Sequence, residues 1–227
     1  MIELLFRDRR LAVVDKPSGA SLLADRSGAD CLWDRLPDLL GTRPYLVHRL
    51  DKGTSGVLLI ALTPESQRAL TRAFQARLVR KFYLAVVAGE LAPGRTFDID
   101  LPLAPGRKSR YRVAGQRSDI VRQAQGWTLT RPADGGHPSL TRVRALAYDA
   151  GRSLVAASPV TGRTHQLRVH LSWIGLPILG DHLYGRPKAP EQQAARLMLH
   201  CHRMIVPGYG TFTAPPPPGW LNGCAAP

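Results

Sequence analysis

The stretch His48-Arg49-Leu50-Asp51-Lys52-Gly53-Thr54-Ser55-Gly56 runs directly into Val57-Leu58-Leu59-Ile60-Ala61-Leu62. The second part is the longest apolar run in the chain, and its shortness suits a fully buried central strand rather than a helix. The first part reads as a loop, because two glycines punctuate it. Asp51 sits in that loop between Arg49 and Lys52. Nearby cations hold such a carboxylate ionised, and a loop at a strand edge can present it to a substrate. An ionised carboxylate is a competent nucleophile at carbon. The competing reading of a lone aspartate is a turn cap among surface cations. Beyond the strand, Thr63-Pro64-Glu65-Ser66 opens a helix, with Thr63 as N-cap and Pro64 at its first position. Ala69, Leu70, Ala73, Phe74 and Leu78 give that helix its apolar stripe.

Upstream, Leu11–Asp15 reads as a short buried strand stopped by the turn Lys16-Pro17-Ser18-Gly19, and a short helix is predicted near Cys31–Leu40, ended by Gly41 and Pro44. Downstream, Lys81–Gly89 alternates and carries Tyr83, so it reads as another strand. A strand tyrosine beside a basic residue can stack on a base or exchange a proton, although most strand tyrosines are core packing. Residues 102–140 are rich in Gly, Pro, Arg and Ser with weak periodicity. Within them Arg107, Lys108, Arg110 and Arg112 surround Tyr111, which reads as a basic loop or hairpin arm. Leu140–Tyr148 and Arg152–Ser158 pair around Asp149-Ala150-Gly151. A helix is predicted near Arg163–Ile174, with Thr164, Leu167, Arg168 and Leu171 on one side. There Leu167 and Leu171 anchor the face and Arg168 can reach a buried carboxylate. Leu197–Val206 is expected to be the last strand, and the Pro-rich tail from about residue 215 to 227 to be extended. Strands and helices interleave without a βαβ rhythm or a repeat, which favours an α+β fold on a mixed sheet.

The chain has 227 residues and a formal net charge of +14, enough for one domain of moderate size. Lysine occurs only at positions 16, 52, 81, 108 and 188, so arginine supplies most of the positive charge. Arginine pairs bidentately with phosphates and stacks on bases, so this surplus points to a polyanion such as nucleic acid. A genome that favours arginine codons is the plainer explanation. Three widely spaced cysteines exclude a disulfide scaffold and a zinc knuckle. No apolar run approaches the ~18 residues of a membrane span. The opening Met1–Arg7 lacks a basic segment followed by an apolar one, so a cytoplasmic protein is expected. His165 and His170 are badly spaced for sharing a metal on a helix; His200 and His202 share a strand face, but no further ligand motif completes a site. No nucleotide-cofactor loop is present.

Taken together these residues resemble the RluA-type RNA pseudouridine synthases. The segment 48–56 is similar to the family's HRLD-x-x-TSG motif, Asp15-Lys16-Pro17-Ser18-Gly19 to the strand-and-turn motif before it, and Lys81-x-Tyr83 to its K-x-Y element. The run from Gly162 to His170, with Gly175-x-Pro177-Ile178-x-Gly180-Asp181-x-x-Tyr184-Gly185, resembles the third block; Leu199-His200 and Phe212-x-Ala214-Pro215 resemble the finish. The resemblance spans about residues 11–217 in family order.

It implies a single catalytic domain over residues 1–227, a mixed, largely antiparallel sheet flanked by helices and loops, and a catalytic cleft between two lobes. It implies Asp51 as the aspartate that attacks the target uridine, Tyr83 as the residue against the base that helps remove the C5 proton, and Arg168 as the partner that orients Asp51. Arg49 would enter the RNA stack and help extrude the nucleotide. Lys81, Arg163 and His165 would lie on the substrate side of the same motifs. Arg107, Lys108, Arg110 and Arg112 then become a phosphate grip beside the flipped base. No cofactor, no metal, no membrane and no obligate protein partner are implied; the expected state is a monomer acting on rRNA or tRNA stem-loops. Many members carry an N-terminal S4 domain, and nothing before Leu11 is long enough for one, so recognition is expected from the catalytic domain itself. Two rivals are a non-catalytic RNA-binding protein and a metal-dependent RNA hydrolase built on His165, His170, His200 or His202.

Overall fold

The computed structural model describes residues 2–24, 31–108, 110–185 and 194–217; the expectation for the tail falls mostly beyond them. In chain order the elements are β1 (Glu3–Arg7), β2 (Leu11–Lys16), α1 (Leu32–Leu40), β3 (Tyr45–Leu46), β4 (Ser55–Ala61), α2 (Pro64–Gln75) and β5 (Arg80–Ala88). There follow β6 (Thr96–Asp100), β7 (Leu103–Pro105), β8 (Tyr111–Val113), β9 (Ile120–Gln123), β10 (Gly126–Leu129), β11 (Leu140–Asp149), β12 (Arg152–Pro159), α3 (Gln166–Trp173), β13 (Leu199–Val206) and β14 (Gly210–Thr213). No helix among the described residues is long and apolar enough to cross a membrane.

The chain forms two compact units. The first takes Met1–Lys81 with His200–Pro216. Its strands lie in the order β1-β2-β4-β13, with β14 on β13. Every residue of β4 is buried, as a continuous apolar run demands. One edge of β4 pairs with β2 from Gly56 to Ala61. The other is divided: β13 pairs parallel with Ser55 and Gly56, and β3 pairs antiparallel with Ile60 and Ala61. Gly56 has φ +109°, and a Cβ there would overlap the main chain of Cys201, so the close β4–β13 approach requires glycine. Helix α2 starts as the sequence indicates. Thr63 Oγ1 accepts from the Ser66 amide at 3.1 Å, Ser66 Oγ accepts from the Thr63 amide at 3.3 Å, and Pro64 is the first helical residue. Ser66 Oγ also donates to Arg10 O at 2.6 Å, tying the helix start to the residue before β2. In α1, Leu32, Leu36 and Leu40 are buried at helical spacing, and Gly41 ends the helix in the left-handed conformation at φ +58°.

The second unit takes Phe82–Leu199 of the described chain. Its strands run β5-β12-β11-β6-β10-β9, antiparallel at each step except β6–β10, with β7 and β8 as a separate antiparallel hairpin. Ala85, Val87, Ile99, Val143, Val155 and Val169 are among the residues of its core. The fold is therefore α+β on mixed sheet, as expected.

Two local expectations are corrected. Helix α3 begins at Gln166, not Arg163: His165 is left-handed at φ +56°, and the Arg163 amide donates to Gln166 Oε1 at 3.1 Å, which closes a turn before the helix. Thr164 is thus outside the helix and exposed, and Gln166 through Leu171 are all buried, so α3 has no solvent face over that span. Leu197–Val206 is not the last strand. Pairing begins at Leu199, and β14 returns antiparallel on it with Met204 opposite Phe212. Residues 102–140, weakly periodic in sequence, hold β7, β8, β9 and β10, each too short to show a period, and β7 with β8 is the hairpin form of the basic arm.

Candidate active site

Asp51 is half-buried and starts the turn that feeds β4, with the Thr54 amide donating to Asp51 O at 3.0 Å. The segment Lys16–Gly19 braces that turn from below. Lys16 is completely buried, and its ammonium donates to Pro17 O at 3.0 Å, Lys52 O at 3.1 Å and Thr54 O at 2.9 Å. The Gly19 amide donates to Lys52 O at 2.9 Å, and Ser18 Oγ donates to Gly53 O at 2.6 Å. Three successive carbonyls after Asp51 are thereby held. A buried ammonium is costly unless each of its protons has an acceptor, and here three carbonyls serve. The Asp51 turn is accordingly a fixed structure rather than a mobile loop.

His48 fixes the same segment from its other end. Its Nε2 accepts from the Leu59 amide at 2.9 Å, on the β4 edge between the stretch paired with β13 and the stretch paired with β3. A side chain thus supplies the partner that no strand reaches. The ring stacks on Phe74 of α2, centroids 4.7 Å apart, and the Lys81 ammonium lies 6.0 Å from the Phe74 centroid. Burial, reinforced by the Lys81 charge, pushes the imidazole down to about 3, so it is the neutral form that accepts. Burial also lowers the Lys81 ammonium from its ordinary value, partly opposed by Cys201.

In the second unit, buried Arg168 on α3 donates from Nε and Nη2 to the two oxygens of Asp181, at 2.8 and 2.7 Å. A buried carboxylate within reach of Arg168 is what its position on an apolar helix face suggests, and Asp181 is that group. Asp181 Oδ1 also accepts from the amides of Leu183 and Tyr184, at 2.9 and 3.1 Å. The same unit holds a polarised chain of buried hydrogen bonds. Gln166 Oε1 accepts from Thr161 Oγ1 at 2.7 Å; Gln166 Nε2 donates to Leu140 O and Thr141 Oγ1, each at 2.9 Å. Thr141 Oγ1 then donates to His170 Nδ1 at 3.0 Å, and His170 Nε2 donates to Leu101 O at 2.9 Å. Burial pushes His170 down to about 4, and the chain is satisfied by the neutral ring.

The other residues singled out from sequence are placed as follows. Tyr83 is half-buried on β5 and packs against the core of the second unit. Arg49 is exposed in the first unit. Arg163 is half-buried, and its Nε is a buried donor without a partner among the described residues. His165 stands at the head of α3, its Nδ1 2.7 Å from the Tyr184 hydroxyl. Arg107, Lys108, Arg110 and Arg112 are exposed on the hairpin β7–β8, which pairs Ala104 with Arg112 and Pro105 with Tyr111. His200 and His202 both bond Ala214 O, at 3.0 and 2.8 Å. Among the described residues, no three His, Cys, Asp or Glu side chains gather as a metal site. Lys16, His48 and Tyr184 were not marked as site residues by the sequence reading. A lysine closing an apolar strand just before a Pro-Ser-Gly turn was the available signal for Lys16.

The sequence matches the RNA pseudouridylate synthase family over residues 10–173, and the chain belongs to that family. It is an enzyme that isomerises uridine to pseudouridine in RNA. It is 38% identical over 207 residues to an RNA pseudouridine synthase of Zymomonas mobilis, covering 89% of this chain and 86% of that one. It is 37% identical over 215 residues to the dual-specificity RNA pseudouridine synthase RluA of Yersinia pestis, covering 92% and 94% of the two chains. The solved human RNA pseudouridylate synthase domain containing 4 superposes with a TM-score of 0.78 at 25% identity, over 96% of this chain and 90% of that one.

Proposed function

We propose that this enzyme isomerises uridines in rRNA and tRNA stem-loops, with Asp51 as the attacking carboxylate, on a nucleotide flipped out of its stack, and without cofactor or metal. The observation that carries the reading is the bracing of the Asp51 turn, where Lys16, Ser18 and Gly19 hold the carbonyls of residues 52–54. A group that acts on a carbon must be held in place, because a misplacement of about 1 Å costs on the order of 100-fold in rate. The carboxylate attacks at the ribose, and the bond from the ribose carbon to N1 of uracil breaks. The detached base turns, C5 bonds to the ribose carbon as the Asp51 carboxylate leaves it, and the proton lost from C5 is balanced by one gained at N1. The reaction is an isomerisation, so no electron acceptor and no second substrate enters. Tyr83 lies against the base and assists the C5 proton, and Arg168, oriented by Asp181, steadies the charge on Asp51.

Extrusion of the nucleotide costs a few kcal/mol in a duplex and less in a loop, which favours loop targets. Arg49 fills the stack the base leaves, with Lys81 and His165 on the substrate side. Arg107, Lys108, Arg110 and Arg112 grip phosphates. Arg163 Nε, an unpartnered buried donor among the described residues, supports an oxygen-rich ligand at that point. The dual-specificity name of the Yersinia relative supports more than one RNA class.

The test is Asp51→Asn. Pseudouridine mapping across rRNA and tRNA from a strain carrying only this variant should lose the sites that the wild-type gene restores. Restoration of those sites by Asp51→Asn would remove Asp51 from the chemistry.

A further inference from the structure

His48 has two ring nitrogens, and the edge of β4 uses one of them. Nε2 accepts from the Leu59 amide at 2.9 Å. A main-chain N–H can only donate, so Nε2 carries a lone pair and no proton. The neutral imidazole holds its one proton on the other nitrogen, Nδ1. A doubly protonated ring would set one N–H against another across that bond. The strand edge alone therefore fixes the tautomer.

The two nitrogens of an imidazole point widely apart, so the Nδ1–H turns away from β4. Phe74 covers a face of the ring, with centroids 4.7 Å apart and planes 19° apart, and not its edge. Among the described residues nothing accepts from Nδ1. His48 is half-buried, and Arg163 Nε, not His48 Nδ1, is the buried donor without a partner among the described residues. The Nδ1–H therefore meets solvent. A donor held at one nitrogen by a strand edge and across its face by a stacked ring is preorganised to bond an incoming oxygen. The surroundings select the kind of oxygen. Arg49 and Lys52 are exposed in the same loop, and the Lys81 charge bears on the imidazole. Asp51, three residues on, is the one acid between His48 and Gly56. An excess of cations favours an acceptor that carries negative charge, and hydrogen bonds to such acceptors are the stronger ones. In RNA that acceptor is the phosphodiester.

We propose that His48 is an RNA-contacting residue whose Nδ1–H donates to a non-bridging phosphate oxygen beside the nucleotide on which Asp51 acts, while its Nε2 holds the edge of β4. This rests on the reading of the Asp51 turn as the place of the reaction. His48 binds phosphate as a neutral donor, which sets it apart from the arginines and lysines around it.

The test combines nitrogen-15 spectra of the full chain with affinities measured by fluorescence anisotropy on an RNA stem-loop that the enzyme modifies. In the wild type, the His48 ring, assigned through its own main chain, should show Nδ1 with a proton and Nε2 without one. Saturating stem-loop should keep that pattern and slow the exchange of the Nδ1 proton with water at least tenfold. In His48→Gln, whose side-chain oxygen can still accept from the Leu59 amide, Kd should rise about tenfold, as expected for one lost bond to a charged acceptor. The slope of log affinity against log salt should stay where it is, because no cation is lost. A single methylphosphonate, walked along the stem-loop, should at one linkage weaken wild-type binding about tenfold more than it weakens His48→Gln. Single deoxy substitutions at the ribose should show no such difference. A proton on Nε2 in the free protein, or an Nδ1 proton whose exchange RNA leaves unchanged, would overturn the proposal, and these spectra decide alone if His48→Gln does not fold. An unchanged Kd in folded His48→Gln would overturn it equally. So would a salt slope flattened by about 0.7, the mark of a lost cation, or a difference that follows a ribose hydroxyl rather than a phosphate. Asp51→Asn, assayed in parallel for pseudouridine, separates the readings: activity there refutes the proposed role of Asp51 and leaves the His48 spectra and affinities as they are.

Discussion

Acid should weaken this protein in a window set by two desolvated imidazoles, His170 and the half-buried His48. His170 has no exposed surface, donates to Leu101 O and accepts from Thr141 Oγ1, which itself accepts from Gln166 Nε2. A second proton on the ring would find a hydroxyl already committed as a donor. Burial accordingly holds His170 at about 4, whereas the unfolded chain titrates at the ordinary 6.5. The unfolded state then binds more protons between those values, so stability falls as pH falls through that window. At about pH 5 the loss relative to about pH 7 is about 2 kcal/mol, one and a half logarithmic units of proton binding at 1.36 kcal/mol each. His48, held at about 3, contributes a further ~2 kcal/mol by the same reasoning. Asp8 is also lowered, but a depressed carboxylate loses its contribution below the ordinary carboxylate range and leaves this window alone. Urea titrations at the two pH values give the wild-type loss, and the same pair on His170→Gln should lose about 2 kcal/mol less. Parallel losses in the two proteins would refute the assignment of the acid limb to His170.

Asp181→Asn removes the bidentate partner of a guanidinium that is 7% exposed, and breaking a buried pair of this kind costs about 3–5 kcal/mol. Thermal denaturation should show the loss, and Arg168→Ala, which strands the same carboxylate, is expected to lose stability as well as activity. For the hairpin, each phosphate-contacting cation contributes about −0.7 to the slope of log affinity against log salt for single-stranded RNA. Removing two of them as Arg110→Gln with Arg112→Gln should flatten the slope by about 1.4, measured by fluorescence anisotropy on an RNA stem-loop.

The parts of the fold that were legible in sequence are those where one local rule sufficed. Val57–Leu62 is an unbroken apolar run whose first five residues lie in the buried β4, and Thr63-Pro64-Glu65-Ser66 carries the start of α2. The head of α3 was not legible. Helical spacing cannot reveal that Gln166 folds its amide back onto Thr161 and the Arg163 amide, or that His165 turns left-handed. The β7–β8 hairpin was legible only as one of two forms of the basic arm, and β9 and β10 were missed because four residues establish no period. The loop that carries Asp51 was legible from its two glycines, but its bracing was not. Lys16 looks from sequence like one more cation in a basic chain, and only its three carbonyl partners distinguish it.

The two units solve one problem in the same way. A short strand near a functional loop leaves main-chain donors without a strand beside them, and a buried donor without a partner costs about 1–3 kcal/mol. In the first unit the gap on the β4 edge is closed by the His48 ring at Leu59; in the second, the outward amide of β8 is closed by the Tyr184 hydroxyl. In both cases the side chain belongs to a motif that also carries a proposed site residue: His48 stands three positions before Asp51, and Tyr184 three after Asp181, the partner of Arg168. Completing the sheet and aiming the site are therefore one task for these residues. Substituting either should disturb geometry beyond its own contact, because the backbone that leads to the carboxylate or to the arginine's partner is fixed by the same bond that finishes the strand edge.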